Sequence, residues 1–146
     1  MRKRSPEPII PAERPCVLVA EDDHEMRALI AAALRRDGYE VLEVANGAQL
    51  MAAFSDRCIK AMRRTPDLVI SDVRMPGRTG LDVVAGLRDA HWSVPVVLIT
   101  AFGDDATHVQ AQKLDAILFD KPFDIDDLRT VVLNLIWPPA PRGGLA

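Results

Sequence analysis

Carboxylates stand where short apolar runs end. The run Cys16–Ala20 leads straight into Glu21, Asp22 and Asp23, and the run Leu68–Ser71 leads into Asp72. Two further runs end on groups suited to phosphate. Val94–Ile99 ends on the hydroxyl of Thr100, and Ala116–Phe119 ends near the ammonium of Lys121, which Pro122 follows. Carboxylates brought together repel, which raises the cost of ionising them all. A hard cation removes that cost. Oxygen donors at this density suit Mg2+, with Mn2+ as the closest substitute. Such an ion keeps positions open for phosphate. Asp72 could then attack phosphorus and form an acyl phosphate. Lys121 would pair with one phosphate oxygen as a point charge, and Thr100 would donate a hydrogen bond to another. Phosphoryl transfer asks chiefly for positioning and charge neutralisation, and this set supplies both.

Each residue also has a plainer use. Asp22 and Glu25 have capping-box spacing, so Asp22 could open a helix, with Asp23 and His24 as exposed first-turn residues. Asp72 could end a strand before the turn Met75–Gly77, Thr100 could bond to backbone, and Lys121 could be a solvated surface lysine. Taken one at a time these uses are ordinary; at successive strand ends they require several coincidences.

The elements that must position these groups follow from periodicity. Cys16–Ala20, Tyr39–Val44, Leu68–Ser71, Val94–Ile99 and Ala116–Phe119 read as strands. The first, third and fourth are nearly continuous apolar runs, as strands covered on both faces should be. Between them lie helical stripes. Met26, Leu29, Ile30, Ala33 and Leu34 form one, stopped by Gly38; Leu81, Val84 and Leu87 form another. Leu50, Phe54, Cys58, Ala61 and Met62 predict one helix opened by Asn46 and Gln49. Residues 104–114 are weakly patterned, and Ile125, Leu128, Val131, Val132 and Leu135 form the last stripe before Pro138 and Pro139. Five β–α units with right-handed crossovers predict an α/β fold, a five-stranded parallel sheet with helices on both faces. In such sheets the cleft lies at the carboxyl ends of the strands, where the groups above stand.

The 146 residues suffice for one domain with a core but not for two ordinary ones. With 49% hydrophobic and 27% charged residues the balance is globular, and a net charge of −3 gives no sign of nucleic-acid binding. No apolar run is long enough to span a bilayer. Arg2, Lys3 and Arg4 are followed by Pro6, Pro8, Pro11 and Pro15 and not by an apolar signal segment. Residues 1–15 therefore read as a disordered leader, 16–137 as the domain and 138–146 as a disordered tail, in a cytoplasmic protein with no membrane contact. Cys16 and Cys58 form no Cys-x-x-Cys pair and read as buried, reduced thiols.

In these stretches the sequence resembles the receiver domains of bacterial two-component response regulators, the chemotaxis regulator among them. The matching segments are Val17–Asp23, Pro66–Gly77, Val96–Ala101 and Asp120–Phe123, in the family's order, and the resemblance covers about 16–136. It implies a flavodoxin-like (βα)5 fold and a phosphorelay function. It places Glu21 and Asp22 as the acidic pair, Asp72 as phosphoacceptor and metal ligand, and the Arg74 backbone carbonyl as a further ligand. Thr100 and Lys121 fall at the switch hydroxyl and the phosphate-binding lysine, and the bond before Pro122 is expected to be cis. The phosphodonor implied is a histidine kinase or histidine phosphotransfer protein. A downstream protein would read the face formed by residues 104–136, with the chain a monomer or weak dimer. No output domain follows Ile136, so the chain reads as a stand-alone receiver without a DNA-binding domain and not as an enzyme with turnover of its own.

Two departures stand out. Many receivers carry Tyr or Phe three residues before the lysine; here that position is Leu118, with Phe119 beside it. The segment from Asn46 to Pro66 is several residues longer than the family's, which reads as extra turns on the second helix. Leu118 keeps a phosphorylation-independent binding module of the same fold in view. Haloacid-dehalogenase-type phosphatases share the chemistry but need a second Asp two residues beyond the nucleophile. Arg74 stands there and cannot shuttle a proton. A flavodoxin-like electron carrier should have a phosphate loop after the first strand, where this chain has three carboxylates.

Overall fold

The computed structural model describes residues 14–62 and 64–137. The expected tail 138–146, and the expected leader apart from Arg14 and Pro15, lie outside the described residues. Strands and helices alternate: β1 (Cys16–Ala20), α1 (His24–Arg36), β2 (Glu40–Val44), α2 (Gly47–Ala52), α3 (Asp56–Met62), β3 (Leu68–Asp72), α4 (Gly80–Asp89), β4 (Val96–Thr100), α5 (Asp105–Lys113), β5 (Ile117–Asp120) and α6 (Ile125–Leu135). The strands form one parallel sheet in the order β2-β1-β3-β4-β5. The chain winds outward from β1 to β2, then returns to build the other side from β3. The carboxyl ends of β1 and β3 therefore flank the point where the winding reverses, the usual crevice of such sheets.

Alternation along each strand divides the core in two. Leu18, Ala20, Val69, Val96 and Leu98 face a layer built from Leu50, Leu81, Val84, Leu87 and Ala111. Val17, Val19, Leu68, Ile70, Val97 and Ile99 face Ile30, Ala31, Leu34, Leu128 and Val132. The first layer is α2, α4 and α5; the second is α1 and α6. The second layer is tied further by polar contacts. Arg129 donates to both carboxylate oxygens of Asp37 at 2.8 Å, and the Tyr39 hydroxyl donates to the Ile136 carbonyl at 2.8 Å. The Arg129 hydrogen bonds hold the Asp37 carboxyl below the usual carboxylate range.

Two expectations need correction, and one alternative falls away. Asp22 does not cap α1: the cap is Asp23, whose side chain accepts from the Glu25 N–H. The stripe from Leu50 to Met62 is not one helix. Asn46 accepts from the Gln49 N–H as expected, but α2 ends at Ala52, and the Ser55 hydroxyl accepts from the Cys58 N–H to begin α3. Leu50 and Phe54 are buried, Phe54 edge-on to Trp92 with ring centroids 5.1 Å apart, whereas no residue of α3 is buried. Cys58 lies on α3 and is therefore only half-buried; Cys16 is fully buried, and burial pushes its thiol up to about 11. The weak pattern at 104–114 does form a helix, α5, in which Ala111 alone is buried.

Candidate functional site

The crevice holds the acidic residues of β1 and β3. Register explains why: Ala20 pairs with Ser71, so the residues that follow, Glu21 and Asp72, leave adjacent strands at the same level. Ligand oxygens of Glu21, Asp22 and Asp72 lie within 4.8 Å of one another. Glu21 is 2% and Asp72 7% exposed, whereas Asp22 is open to solvent. Lys121 enters from the end of β5. Its Nζ donates to Asp72 Oδ2 at 3.0 Å and stands 3.5 Å from Glu21 Oε1. The peptide bond between Lys121 and Pro122 is cis, as the resemblance implied.

The side chains are held in different ways. Asp72 Oδ1 accepts from the Arg74 N–H at 3.1 Å. Glu21 Oε2 accepts from the Asp23 N–H at 3.1 Å, but Glu21 Oε1 is buried without a hydrogen-bond donor. Burial above all, aided by the Asp72 charge and opposed by the Asp23 N–H, pushes the Glu21 carboxyl up to about 7. Burial works against the Lys121 charge as well, but its hydrogen bond to Asp72 and its attraction to both carboxylates outweigh this and raise its pKa above the ordinary value. A buried carboxylate oxygen left without a donor is costly. An all-oxygen set whose buried Glu21 Oε1 has no hydrogen bond and only the Lys121 ammonium at 3.5 Å fits a hard divalent cation.

Thr100 is 2% exposed at the end of β4. Its Oγ1 accepts from the Phe102 N–H at 3.1 Å, which leaves the hydroxyl proton to donate elsewhere, and its carbonyl accepts from the Lys121 N–H at 2.7 Å. The structure thus joins Thr100 to the site through the Lys121 backbone. The Arg74 side chain is exposed and stacks over the Phe102 ring at 4.8 Å. Leu118 is half-buried and packs against the layer that contains Ala111 and Leu98.

Two contributors escape a reading of motifs. Gly80 opens α4 close against the end of β3, the strand that carries Asp72. A Cβ there would meet the Asp72 carbonyl oxygen at 2.5 Å, so only glycine lets α4 start this close. Arg27, in the first turns of α1, donates through Nη1 to the Glu21 carbonyl at 2.7 Å. A basic residue a few positions after the acidic run is a signal, but too common a one to act on by itself.

Comparison with known proteins points to one family. Residues 17–133 match the response regulator receiver domain family. The sporulation initiation phosphotransferase F of Bacillus subtilis is 28% identical over 117 residues, covering 80% of this chain and 89% of its own length. The DNA-binding transcriptional regulator NtrC of Escherichia coli is 33% identical over 125 residues, covering 85% of this chain. The chain spans only 25% of that regulator. Among solved structures, the chemotaxis protein CheY4 of Vibrio cholerae superposes with a TM-score of 0.70 at 26% identity, covering 86% of this chain and all of its own. The response regulator TrrA of Thermotoga maritima, solved with Mg2+ and BeF, gives 0.69 at 28% identity and covers 84% of this chain and 99% of its own. Fold and sequence agree, and the chain belongs to the response regulator receiver domain family, the receiving unit of two-component phosphorelays.

Proposed function

We propose that residues 16–137 form a receiver that takes a phosphoryl group from a phosphohistidine, on a histidine kinase or a histidine phosphotransfer protein, onto Asp72. The observation that carries this reading is the setting of Asp72: buried, beside two more carboxylates, and paired to Lys121 at 3.0 Å. Glu21, Asp22, Asp72 and the Arg74 backbone carbonyl would hold Mg2+ or Mn2+. The ion supplies charge neutralisation for the incoming phosphoryl group. An Asp72 oxygen forms the new P–O bond as the P–N bond of the donor breaks, and the donor imidazole leaves with the bonding pair. Lys121 then exchanges its Asp72 contact for a phosphate oxygen, and Thr100 turns its hydroxyl proton toward another. These two moves bias a two-state element, and the face formed by residues 104–136 passes the change to a downstream protein. Among the described residues no helix is long and apolar enough to cross a membrane.

Acetyl phosphate should label the chain only when Mg2+ or Mn2+ is present, and Asp72→Asn should abolish labelling. Equal labelling of that variant, or labelling without metal, would overturn the proposal. Leu118, which gives no aromatic ring to swing, leaves open a second reading, a module that binds its partner unphosphorylated, against which the intact set Glu21, Asp22, Asp72, Thr100 and Lys121 stands. Partner binding unchanged by Asp72→Asn would select it.

A further inference from the structure

We infer that Arg27 is a positioning residue for the acidic loop, and that its guanidinium sets how well Glu21 and Asp22 hold a divalent cation. This rests on the reading of the site given above. The Arg27 side chain is 16% exposed and its donors are spread over three partners. Nη1 donates to the Glu21 carbonyl at 2.7 Å, Nη2 donates to His24 Nδ1 at 3.1 Å, and Nε faces Glu43 Oε1 at 3.5 Å. Guanidinium has donors only, so each partner is an acceptor. Glu43 is braced in turn, since its other oxygen meets Arg35 Nη1 at 3.0 Å.

The consequence lies in the backbone. The Glu21 N–H donates to the Val44 carbonyl at 3.1 Å. The Glu21 carbonyl, the next polar group along the chain, is past the last β1–β2 pair and finds Arg27. Both supports lead back to the end of β2, one through Val44 and one through Glu43. The peptide linking Glu21 to Asp22 is thereby fixed while both carboxylates remain available. Asp23 caps α1 at the same time, so Arg27 and the cap together define the loop from either side.

The sign of the effect separates positioning from simple charge. A cation near a cation site opposes binding by Coulomb repulsion. Charge removal alone would therefore tighten Mg2+ binding, and loss of positioning weakens it. In the full chain, Mg2+ is titrated by calorimetry and amide hydrogen exchange is followed at residues 22–24 without metal. Arg27→Met keeps much of the stem and removes every donor. Its Mg2+ affinity should fall about tenfold, equivalent to about 1.4 kcal/mol, and exchange at Asp22 and Asp23 should quicken about tenfold. Arg27→Lys, with charge but no fork of donors, should fall between, and Glu43→Gln should lose less than Arg27→Met. Should Arg27→Met not fold, these two variants carry the same comparison. Mg2+ binding as tight as wild type or tighter, or unchanged exchange at 22–24, overturns the inference. A wild-type chain that takes up no Mg2+ overturns the reading of the site and the cation half of the inference with it, while the exchange rates still decide whether Arg27 holds the loop.

Discussion

Lys121→Met keeps the length of the side chain and removes its charge. The ammonium stands 3.0 Å from Asp72 and 3.5 Å from Glu21, so in the metal-free protein it partly neutralises the carboxylates that a metal would. Two effects of opposite sense follow. Without metal, a hydrogen bond between charged groups is lost, worth about 1.5–3 kcal/mol. The lysine side chain is 25% exposed, so solvent screening favours the lower end, about 1.5 kcal/mol. For a domain of this size that lowers the melting temperature by roughly 5 °C. With metal, the lysine no longer competes for the same oxygens. The same free energy returns as Mg2+ binding about tenfold tighter, since about 1.4 kcal/mol is one decade. Thermal melts and calorimetric titration at fixed ionic strength measure both. The expected pattern is a variant that melts lower than wild type without Mg2+ and regains the difference when saturated. It should still accept phosphate while failing to switch partner binding. Weaker Mg2+ binding, or unchanged metal-free stability, would refute the reasoning and make Lys121 an organiser of the carboxylates. Arg27 and Lys121 are both cations beside one site, yet their removal should change Mg2+ affinity in opposite directions.

Asp22→Ala should weaken Mg2+ binding strongly and melt no lower than wild type without metal, because Asp22 is exposed and caps nothing; a marked loss of metal-free stability would contradict its placement. With a beryllofluoride mimic, amide shifts should be large at 101–114 while methyl NMR shows a steady Leu118 rotamer, since exposing a leucine costs about 1.5–3 kcal/mol. A swing of Leu118 with 101–114 unmoved would reverse that expectation. The Asp37–Arg129 pair predicts a pH effect. Asp37 is held below its ordinary value, so its contribution is present above the unfolded carboxylate pKa of about 3.9 and is lost as pH falls through the folded value. Arg129→Gln should therefore melt lower than wild type at pH 7, and the two should converge as pH approaches 2; a constant gap across that range would show that the ion pair is not its source.

Much of this was legible in the chain because local and global demands coincide. Strands covered on both faces must be apolar throughout, so β1, β3 and β4 announce themselves, and reactive groups placed straight after them mark the crevice. What stayed hidden depends on which of two similar residues wins a role. Asp22 and Asp23 are both able to cap α1; the fold gives the cap to Asp23 and leaves Asp22 free for the site. The break between α2 and α3 hides because Leu50, Phe54 and Cys58 continue the helical spacing across it. The signal was Ser55, a residue whose hydroxyl starts helices as readily as it sits within them. Arg27 could not be singled out, since its partners Glu21 and Glu43 meet it only once β1 and β2 are paired.

The unburied helix α3 has a consequence for how this fold tolerates change. It contributes nothing to either core layer, and none of its residues makes the bonds that brace Asp72. Lengthening a flexible connection is cheap, about 0.6 kcal/mol per doubling. A foreign peptide or reporter module spliced into α3 should leave phosphoryl chemistry intact, which makes this segment the natural graft point for building a sensor from the receiver.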